Sequence, residues 1–497
     1  MTTEENYYFE LSKGMKPIES SNSLHVYCEE YKIENKRVKF FWAINPAEEE
    51  PIFFEAEDWV EPVLERSLIS ELGESFNAQI GKKVLLKGWV SQWRELKKMS
   101  FLILRDRTGY CQVVVPKHLV SSLLSETVVE VIGIVNQHQE SRYNKIEIFA
   151  EALTVVSETA VLPFPISREE DAPPFNTINI FRPITLRRER ERCIFKIQSE
   201  ITYAYREYLR SQGFTEINST KLSAAGLEGG SEMFGLDYFG KEMFLTQSPQ
   251  FYKQMMVGVY ERVFEINKVY RAEGSNTNKH LAEFIGLDLE MGFINSVNEV
   301  MDMEENMFNY VFKHVHKKCA KELEHLGIPV EDYSTGLERF PRLTYQETVE
   351  ILEKEFGYKS QGVGLTTEAE RLISEYAFIT YASEFVFITK YPLSERPFYA
   401  MPSVEEGCSE TFELLYKGME ITSGGQRIHN YSQLVSSIEA KGLNPESFES
   451  YLMPFKYGMP PHGGFGIGLE RVMKQMLNLN SAEEASLIPR TGEKFIH

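Results

Sequence analysis

The stretch that most constrains the fold runs from Val269 to Met291 and reads VYRAEGSNTNKHLAEFIGLDLEM, two segments of strand character around a polar loop. In the second segment every other residue is apolar, and these residues are Ile285, Leu287, Leu289 and Met291. This period of two predicts a strand with one apolar face. In the first segment Arg271 and Glu273 are two residues apart, so we expect them to project from the same side. The stretch therefore predicts a β-hairpin with one face on a core and the other available for chemistry.

The loop of this hairpin, Gly274 to Ala282, carries Lys279 and His280 among small polar residues. A planar guanidinium such as that of Arg271 suits bidentate binding of a phosphate or a carboxylate, and Lys279 and His280 can extend the contact along a polyphosphate. The pattern predicts an anion-binding hairpin. The alternative is a solvated hairpin in which Arg271 and Glu273 pair with their neighbours.

At 497 residues, 42% of them hydrophobic, the chain is long enough for two or three globular domains. No apolar run approaches the roughly 18 residues of a membrane helix, and the N-terminus MTTEENYYFE lacks a signal or transit pattern, so we expect a cytoplasmic protein. The five cysteines are scattered and never form a CxxC pair, which predicts neither a disulfide framework nor a zinc site.

The net charge of −20 argues against a polyanionic partner unless positive charge is concentrated locally. Two segments supply local positive charge, and their basic residues are Lys82, Lys83, Lys87, Arg94, Lys97 and Lys98, and Arg182, Arg187, Arg188, Arg190 and Arg192. Glutamates interleave the second set, so a self-paired helix start is an equally good interpretation of it.

Short strands separated by turn signals fill residues 82–157, in the order KVLLKGWVSQW, SFLILRDRTGYCQVVV, TVVEVIGIVNQ and NKIEIFAEALTVV. This spacing predicts a small five-stranded barrel, of which the oligonucleotide-binding (OB) fold is one kind. An OB fold binds unstacked bases on an aromatic platform flanked by hydrogen-bonding side chains. Phe101, Gln112 and Arg94 are placed for that role. The alternative is that Phe101 packs in the barrel core.

The sequence predicts four segments. Residues 1–77 are rich in aromatic residues and form an N-terminal extension of unknown role. Residues 78–158 form the barrel domain, and the proline-rich residues 159–180 form a hinge. Residues 181–497 form the largest domain.

A second hairpin is predicted in SETFELLYKGMEITSGGQRIHNY, turning near Tyr416 to Gly418. This turn brings Glu413 and Glu420 close together across the two strands. Two carboxylates held together either share a proton or bind a cation, and Mg²⁺ is a hard ion that prefers oxygen ligands. The alternative is a solvated pair at a sheet edge.

These patterns resemble the motifs of class II aminoacyl-tRNA synthetases. GFTEINSTKL is similar to motif 1, the hairpin Val269 to Met291 to motif 2, and GGFGIGLERVM to motif 3. The resemblance implies an α+β fold in which an antiparallel sheet flanked by helices follows an N-terminal appendage and a five-stranded OB-fold barrel. Motif 1 implies a homodimer, although Thr220 stands where the family has a proline.

The resemblance also implies roles at an ATP site. Arg271 is the expected catalytic residue, because the family's arginine holds the α-phosphate and the amino-acid carboxylate. Glu273 and Phe284 are expected at the adenine, with Arg471 on its second face. The other residues implied at ATP are Lys279, His280, Leu281, Glu420, Gly468, Leu469 and Glu470. Glu413 and Glu420 are the implied ligands of Mg²⁺.

For the amino acid, the resemblance implies L-aspartate, and the residues implied to bind it are Glu228, Gln250, Lys253, Arg271, Ser423 and Arg427. Lys253 and Arg427 would offer two positive charges to one side-chain carboxylate. The barrel segment GWVSQWRELKKMSFLILRDRTGYCQ resembles the anticodon-binding domain of the aspartyl, asparaginyl and lysyl branches. It implies that Arg94, Phe101 and Gln112 contact the anticodon.

The resemblance as a whole is to the aspartyl branch of archaeal and eukaryotic type, because the interval from Met291 to motif 3 is too short for the inserted domain of the bacterial type. It implies ATP, Mg²⁺, L-aspartate and tRNA(Asp) as substrates and partners. Three alternatives remain at this point: the asparaginyl branch, an asparagine synthetase, which lacks the barrel, and a non-catalytic tRNA-binding or scaffold paralogue. A paralogue of that kind should have lost Arg271, Glu420 or Arg471, and all three are present.

Overall fold

The structure is a computed structural model, and it describes the chain apart from residues 1–18, 21–24, 34–35, 45–50, 54–60, 63, 75–79, 142, 144, 168–172, 224–232, 273–276, 331–338, 360–363 and 493–497. The chain divides into two compact units, Met1–Ser167 and Arg168–His497. No helix in the described ranges is both long enough and apolar enough to cross a membrane.

The first unit begins with five short strands that form one sheet: β1 (Glu19–Ser20), β2 (His25–Ile33), β3 (Lys36–Ile44), β4 (Pro51–Phe53) and β5 (Glu61–Pro62). Strands β2 and β3 pair antiparallel along their whole length, from Ile33 opposite Lys36 to His25 opposite Ile44. The predicted N-terminal appendage therefore contains ordered backbone.

A closed barrel follows, built from β6 (Lys83–Glu95), β7 (Met99–Arg105), β8 (Tyr110–Pro116), β9 (Val128–Gln137) and β10 (Ile146–Ser157). The strands close in the order β10-β8-β7-β6-β9, as predicted for an OB fold. Burial alternates along β6 and β9, so that every second side chain fills the interior. Helix α1 (Ile69–Glu74) adds Ile69 and Leu72 to this core.

The second unit alternates helices and strands. Its helices are α2 (Phe175–Ile180), α3 (Arg182–Thr185), α4 (Glu189–Ser211), α5 (Gln250–Tyr260), α6 (Val297–Lys318), α7 (Ala320–His325), α8 (Tyr345–Phe356), α9 (Thr367–Tyr381), α10 (Tyr431–Ala440), α11 (Glu449–Lys456) and α12 (Leu469–Met476). Its strands are β11 (Thr215–Glu216), β12 (Leu222–Ser223), β13 (Gly235–Tyr238), β14 (Lys241–Leu245), β15 (Arg262–Tyr270), β16 (Glu283–Gly292), β17 (Arg342–Thr344), β18 (Phe385–Thr389), β19 (Thr411–Tyr416), β20 (Met419–Arg427) and β21 (His462–Gly468). Helix α2 begins inside the segment that the sequence predicted to be a hinge.

Eight strands form the central sheet in the order β11-β15-β16-β21-β20-β19-β18-β17. The six inner strands pair antiparallel, as predicted, whereas each edge strand pairs parallel to its neighbour. The antiparallel prediction is therefore incomplete at both edges. Parallel neighbours need a crossover connection, and these edge strands are reached through helices and long loops.

Successive residues of the sheet point to opposite faces, and each face has its own apolar core. Phe385 and Phe387 of β18 pack in the large cluster with α4 and α6, whereas Val386 and Ile388 pack in another cluster with α8 and α9. The helix pair α8 and α9 thus covers one end of the sheet, on the face opposite α4 and α6.

One acidic side chain is fully buried in the large core. Glu304 of α6 is 0% exposed, and burial raises the pKa of its carboxyl to about 8, while contact with Thr422 of β20 acts in the opposite direction. The Tyr205 hydroxyl of α4 lies close enough for Glu304 to raise its pKa further, after burial and Asp288. Glu304 is therefore protonated at neutral pH.

Candidate active site

The second unit contains an open cleft of about 1170 Å³ on the sheet. Most of the predicted ligand-binding residues line it: Gln250, Lys253, Arg271, Lys279, His280, Leu281, Phe284, Glu420, Ser423, Arg427, Gly468, Glu470 and Arg471. Glu413 and Leu469 are not among the lining residues, and Glu228 and Glu273 lie outside the described residues. The cleft therefore gathers residues that are far apart in sequence.

The motif 2 stretch forms the predicted hairpin, with β15 and β16 paired from Tyr270 opposite Glu283 to Arg262 opposite Met291. Arg271 follows the last residue of β15, and its backbone N–H donates to Ala282 O at 3.0 Å. The Arg271 guanidinium carbon lies 5.4 Å from the centroid of the Phe284 ring. The two side chains proposed for phosphate and adenine are therefore adjacent at the loop end of the hairpin.

The side of β16 opposite its apolar face is also buried. Asp288 is 5% exposed and Glu290 is 0% exposed, so this face carries two acids inside the protein. The Lys253 ammonium lies 3.2 Å from Asp288 Oδ1 and 3.5 Å from Glu290 Oε2, and it donates to Phe465 O at 2.8 Å. Asp288 also accepts from Asn267 Nδ2 at 3.3 Å.

Arg427 completes this cluster. Its Nε donates to Glu290 Oε1 at 2.9 Å, and its Nη2 donates to Gly464 O at 2.9 Å and approaches Gln250 Oε1 at 3.5 Å. The sequence predicted that Lys253 and Arg427 offer two positive charges to one substrate carboxylate, and the structure pairs both cations with buried acids. Sequence reasoning missed Asp288 and Glu290 because their pairing depends on folding three distant segments together.

The cluster therefore has two positive and two negative side chains. His462 begins β21 opposite Arg427 and is 0% exposed. Burial lowers the pKa of its imidazole to about 4, so it stays neutral and adds no third positive charge.

The glycines of β21 make room for the two acids. A Cβ built on Gly466 would lie 2.8 Å from Asp288 Oδ1, and one built on Gly464 would overlap Glu290 Oε2 and Leu289 O. Side chains at these positions would collide with the neighbouring strand. The glycine-rich part of motif 3 is thus explained by the carboxylates of motif 2.

The second predicted hairpin also forms, with β19 and β20 joined at Lys417 and Gly418, whose φ angles are 47° and 83°. A register shift follows the turn, because Leu415 lies opposite Glu420 but Leu414 lies opposite Thr422. In a regular strand Glu420 and Ser423, three residues apart, would face opposite sides. The bulge at Ile421 explains how both line the same cleft.

Glu413 lies opposite Ser423 and Glu420 opposite Leu415, so the two acids are offset along the hairpin, and burial and then the Glu420 charge raise the pKa of Glu413. Each carboxylate already has a cationic partner. Glu413 accepts from Arg396 Nη2 at 3.0 Å and from the Tyr391 hydroxyl at 2.6 Å, and Glu420 Oε2 lies 3.2 Å from Arg471 Nη1. In the described ranges no group of three or more potential metal ligands occurs, so this pair alone would need further ligands from a substrate.

Helix α12 begins after Gly468 and carries the end of motif 3. Leu469 is fully buried in the large core, so only its backbone is available to a ligand. Glu470 is 2% exposed, and both its carboxylate oxygens accept from the Ile285 N–H, at 3.1 and 3.0 Å. Burial raises the pKa of Glu470 to about 7. Its side chain therefore joins α12 to β16.

The described part of the motif 2 loop is held from two sides. Ala482 N donates to Asn278 O at 2.9 Å, and Ala282 N donates to Arg490 O at 2.8 Å, so the C-terminal segment braces the loop backbone. Lys279 Nζ donates to Thr367 Oγ1 at 3.0 Å and lies 3.4 Å from Glu370 Oε1. Sequence reasoning did not identify the residues of α9 near the cleft.

The predicted anticodon residues lie on the outer face of the barrel in the first unit. Arg94 is exposed and lies directly opposite Phe101, and Gln112 Nε2 donates to Glu147 Oε2 at 3.1 Å. Phe101 is half-buried and lies outside the barrel core, whereas its neighbour Leu102 is fully buried in that core. This placement disfavours the alternative in which Phe101 is a core residue.

Comparison with known proteins finds a family match in each of the two units. A family described as tRNA synthetases class II (D, K and N) matches residues 176–492. This chain belongs to that family. An OB-fold nucleic acid binding domain matches residues 84–156, which is most of the barrel. The family and the barrel together exclude an asparagine synthetase that lacks an anticodon domain.

Similar class II synthetases come from bacteria, archaea and eukaryotes. An aspartate–tRNA(Asp/Asn) ligase of Thermus thermophilus is 42% identical over 426 residues, 85% of this chain and 99% of that protein. An aspartate–tRNA(Asp) ligase of Pyrococcus abyssi is 41% identical over 439 residues, 86% of this chain and 98% of that protein.

Among solved class II synthetase structures, an asparaginyl-tRNA synthetase from Pyrococcus horikoshii complexed with asparaginyl-adenylate has a TM-score of 0.79 at 30% identity, over 84% of this chain and 97% of that one. An aspartyl-tRNA synthetase from Entamoeba histolytica has a TM-score of 0.73 at 31% identity, over 86% of this chain and 92% of that one.

Proposed function

We propose that this protein is an aspartate–tRNA ligase that activates L-aspartate with ATP and transfers it to the 3′ end of tRNA(Asp). The observation that carries this proposal is the one cleft lined both by the Lys253 and Arg427 cluster and by Arg271 of motif 2. A side-chain carboxylate and a triphosphate can each be neutralised within it. The curated relatives at about 40% identity, which carry this activity in their names, support the same conclusion.

The amino-acid end of the cleft presents hydrogen-bond donors. Within the described residues, Arg427 donates hydrogen bonds through Nε and Nη2, so Nη1 remains available to a ligand. The Nε2 donor of Gln250 is buried without a hydrogen-bond partner among the described residues. Donors of this kind suit a carboxylate, whereas the amide NH₂ of asparagine would meet other N–H groups.

Aspartate is recognised by Arg427, Lys253 and Gln250, with Ser423 at the edge of the site. Glu228 keeps its proposed role as a contact of the substrate ammonium. Because Asp288 and Glu290 already neutralise the two cations, discrimination rests on the geometry of the donors more than on excess positive charge.

The ATP end is formed by the motif 2 hairpin and motif 3. Arg271 holds the α-phosphate and the aspartate α-carboxylate, and the adenine stacks between Phe284 and Arg471, with Glu273 at its edge. Lys279 and His280 extend toward the outer phosphates, and the backbone of Leu281, Gly468, Leu469 and Glu470 completes the nucleotide site.

Glu413 and Glu420 fit a bound Mg²⁺, because they are hard oxygen ligands. Burial and then the Glu420 charge raise the pKa of Glu413, and a bound cation would relieve the repulsion between the two carboxylates. When bound with ATP, Mg²⁺ neutralises phosphate charge that develops on the leaving group.

The chemistry needs no protein nucleophile. An oxygen of the aspartate α-carboxylate attacks the α-phosphorus of ATP, the bond to the β-phosphate oxygen breaks, and pyrophosphate leaves aspartyl-adenylate behind. A ribose hydroxyl of the tRNA terminal adenosine then attacks the aspartyl carbonyl carbon, and AMP leaves. Arg271 contributes by fixing both reacting groups and by stabilising the charge on the phosphate.

Arg94, Phe101 and Gln112 bind the anticodon of tRNA(Asp) in this proposal. We also propose a homodimer and a cytoplasmic location, as is usual for the family. Thr220 stands at the position of the expected motif 1 proline. Its hydroxyl accepts from the Leu222 N–H at 3.2 Å, and this side-chain hydrogen bond stabilises the local backbone.

ATP–pyrophosphate exchange with each amino acid in turn tests the proposed activity. Aspartate should support exchange and asparagine should not, because a site built for one set of hydrogen-bonding groups rejects the wrong partner by about 10⁴-fold or more. Equal exchange with asparagine would favour the asparaginyl branch, which the structural similarity to an asparaginyl-tRNA synthetase makes the main alternative.

A further inference from the structure

Glu370 lies in the first turn of α9 and is 6% exposed. Its carboxylate approaches two groups of the candidate active site. The Lys279 ammonium lies 3.4 Å from Oε1 and 3.5 Å from Oε2, and the backbone N–H of Glu420 donates to Oε2 at 3.4 Å. One buried carboxylate thus contacts both Lys279 of the motif 2 loop and the strand that carries the proposed metal ligand Glu420.

Helix α9 is also packed against the turn that leads into this strand. A Cβ added to Gly418 would lie 3.4 Å from Cα of Arg371, so the β19–β20 turn touches the helix one residue after Glu370. Thr367, in the same first turn, accepts from Lys279 Nζ at 3.0 Å. The first turn of α9 therefore holds the Lys279 side chain by a hydroxyl and a carboxylate.

We propose that Glu370 is a positioning residue for ATP binding, which fixes the Lys279 ammonium and the Glu420 backbone at the triphosphate end of the cleft. This inference rests on the proposed function, since it assigns Lys279 and Glu420 to the phosphates. Glu370 itself does not line the cleft and touches no substrate in this proposal.

Removal of the Glu370 carboxylate should weaken ATP binding, because both side chains of the pair are largely buried. The Lys279 side chain is 15% exposed and the Glu370 side chain 8%, so removing the carboxylate leaves a largely buried ammonium without its counter-ion. A long lysine side chain in that position gains both solvation and rotamer freedom by turning out to water. Binding of ATP would then have to fix the Lys279 side chain again, at a cost in conformational entropy. Burial raises the pKa of Glu370, and the Lys279 charge opposes this rise.

The first test is steady-state exchange with Glu370→Ala and Glu370→Gln, varying ATP and aspartate separately. Loss of a charge-assisted contact should raise the KM for ATP about tenfold to a hundredfold in Glu370→Ala. The KM for aspartate should change by less than about twofold, because Gln250, Lys253 and Arg427 do not contact α9. Glu370→Gln should give a smaller rise, since its amide oxygen still accepts from Lys279 and Glu420.

Glu368→Ala is the matched control. Glu368 lies on the same helix turn and is paired with Arg371, with a side chain 54% exposed, so its removal changes the same charge without touching the cleft. Its kinetic constants should match those of the wild type.

A double-mutant cycle separates positioning from a general structural role. If Glu370 acts through Lys279, Glu370→Ala should raise the ATP KM much less in a Lys279→Ala background than in the wild type. Equal rises in both backgrounds, equal changes in the two KM values, or a lower ATP KM in Glu370→Ala would each overturn the proposal. If the wild type itself lacked aspartate-dependent exchange, the proposed function would fail instead, before any variant was compared.

Discussion

The Nε atom of Arg427 lies 2.9 Å from Oε1 of Glu290, with the two side chains 6% and 0% exposed. A cation proposed to recognise substrate is therefore neutralised before any substrate binds. This arrangement stabilises the empty site, because two buried like charges, Arg427 and Lys253, would otherwise repel each other. It also makes stability and substrate recognition separable by experiment.

Arg427→Met should abolish aspartate-dependent exchange and also destabilise the fold. Removing one partner of a buried ion pair costs about 3 to 5 kcal/mol, because the other charge stays buried. Adding Glu290→Gln should restore part of the free energy of unfolding without restoring exchange. Denaturant unfolding and exchange on the three proteins check this, and recovery of activity in the double variant would show that Arg427 does not bind the amino acid.

Arg271→Ala should lower the rate of aspartate activation by about 10² to 10³ while leaving the fold intact, because the residue faces a ligand and stabilises transition-state charge. Lys268→Ala is a suitable control, since Lys268 is an exposed cation on the same hairpin, paired with Glu283 at 3.4 Å. Exchange kinetics and thermal unfolding would be measured on both. Near-normal exchange in Arg271→Ala would contradict its assignment as the catalytic residue.

Phe101→Ala should weaken aminoacylation of tRNA(Asp) by roughly 5- to 150-fold, since stacking of a base on an aromatic ring is worth about 1 to 3 kcal/mol. Exchange without tRNA should be unchanged. Leu102→Ala serves as the comparison, because Leu102 is the next residue but fills the barrel core, so its removal should lower the melting temperature. Equal losses of exchange and aminoacylation in Phe101→Ala would mean that Phe101 only packs.

Glu304→Gln should change how stability depends on pH. The native carboxyl keeps its proton up to about pH 8, whereas the unfolded carboxyl loses it near its ordinary value of 4.5. The unfolded state therefore binds fewer protons in this window, and the free energy of unfolding of the wild type falls as pH rises from about 4.5 to about 8.

The glutamine variant lacks this proton equilibrium, so its melting temperature relative to the wild type should increase as pH rises through that range. Thermal unfolding of both proteins at several pH values between 5 and 9 measures the difference. A constant difference across the range would mean that Glu304 is not held protonated by the fold.

Local patterns predicted those parts of the fold that are set by neighbouring residues. The alternation of Leu287, Leu289 and Met291 identified β16, and the regular strand spacing identified the barrel, because period and turn residues act over short distances. Lys253 and Arg427 were implied as site residues by the resemblance to the family's motifs, not by local patterns.

Features that depend on distant strands could not be predicted in this way. The pairing of Arg427 with Glu290 requires β16, β20 and β21 to lie side by side. The bulge at Ile421 is a property of the pairing between β19 and β20, so neither strand alone predicts it. Glu370 belongs to none of the motifs, and only the packing of α9 brings it against Lys279 and the Glu420 backbone. The roles of the predicted site residues, Glu228 and Glu273 among them, and the boundaries of the four predicted segments stay predictions.

The close fit of β21 against β16 has a consequence for how this cleft can change in evolution. Gly466 leaves the space that the Asp288 carboxylate fills, so a larger residue at position 466 demands a smaller one at position 288, whereas Gly464 also lies against the backbone oxygen of Leu289 and leaves no room for a side chain. Substitutions of Gly464 should be eliminated, and accepted changes at Gly466 should come together with a smaller residue at position 288. Laboratory selection for a new amino-acid substrate would therefore succeed sooner from libraries that vary the two strands together.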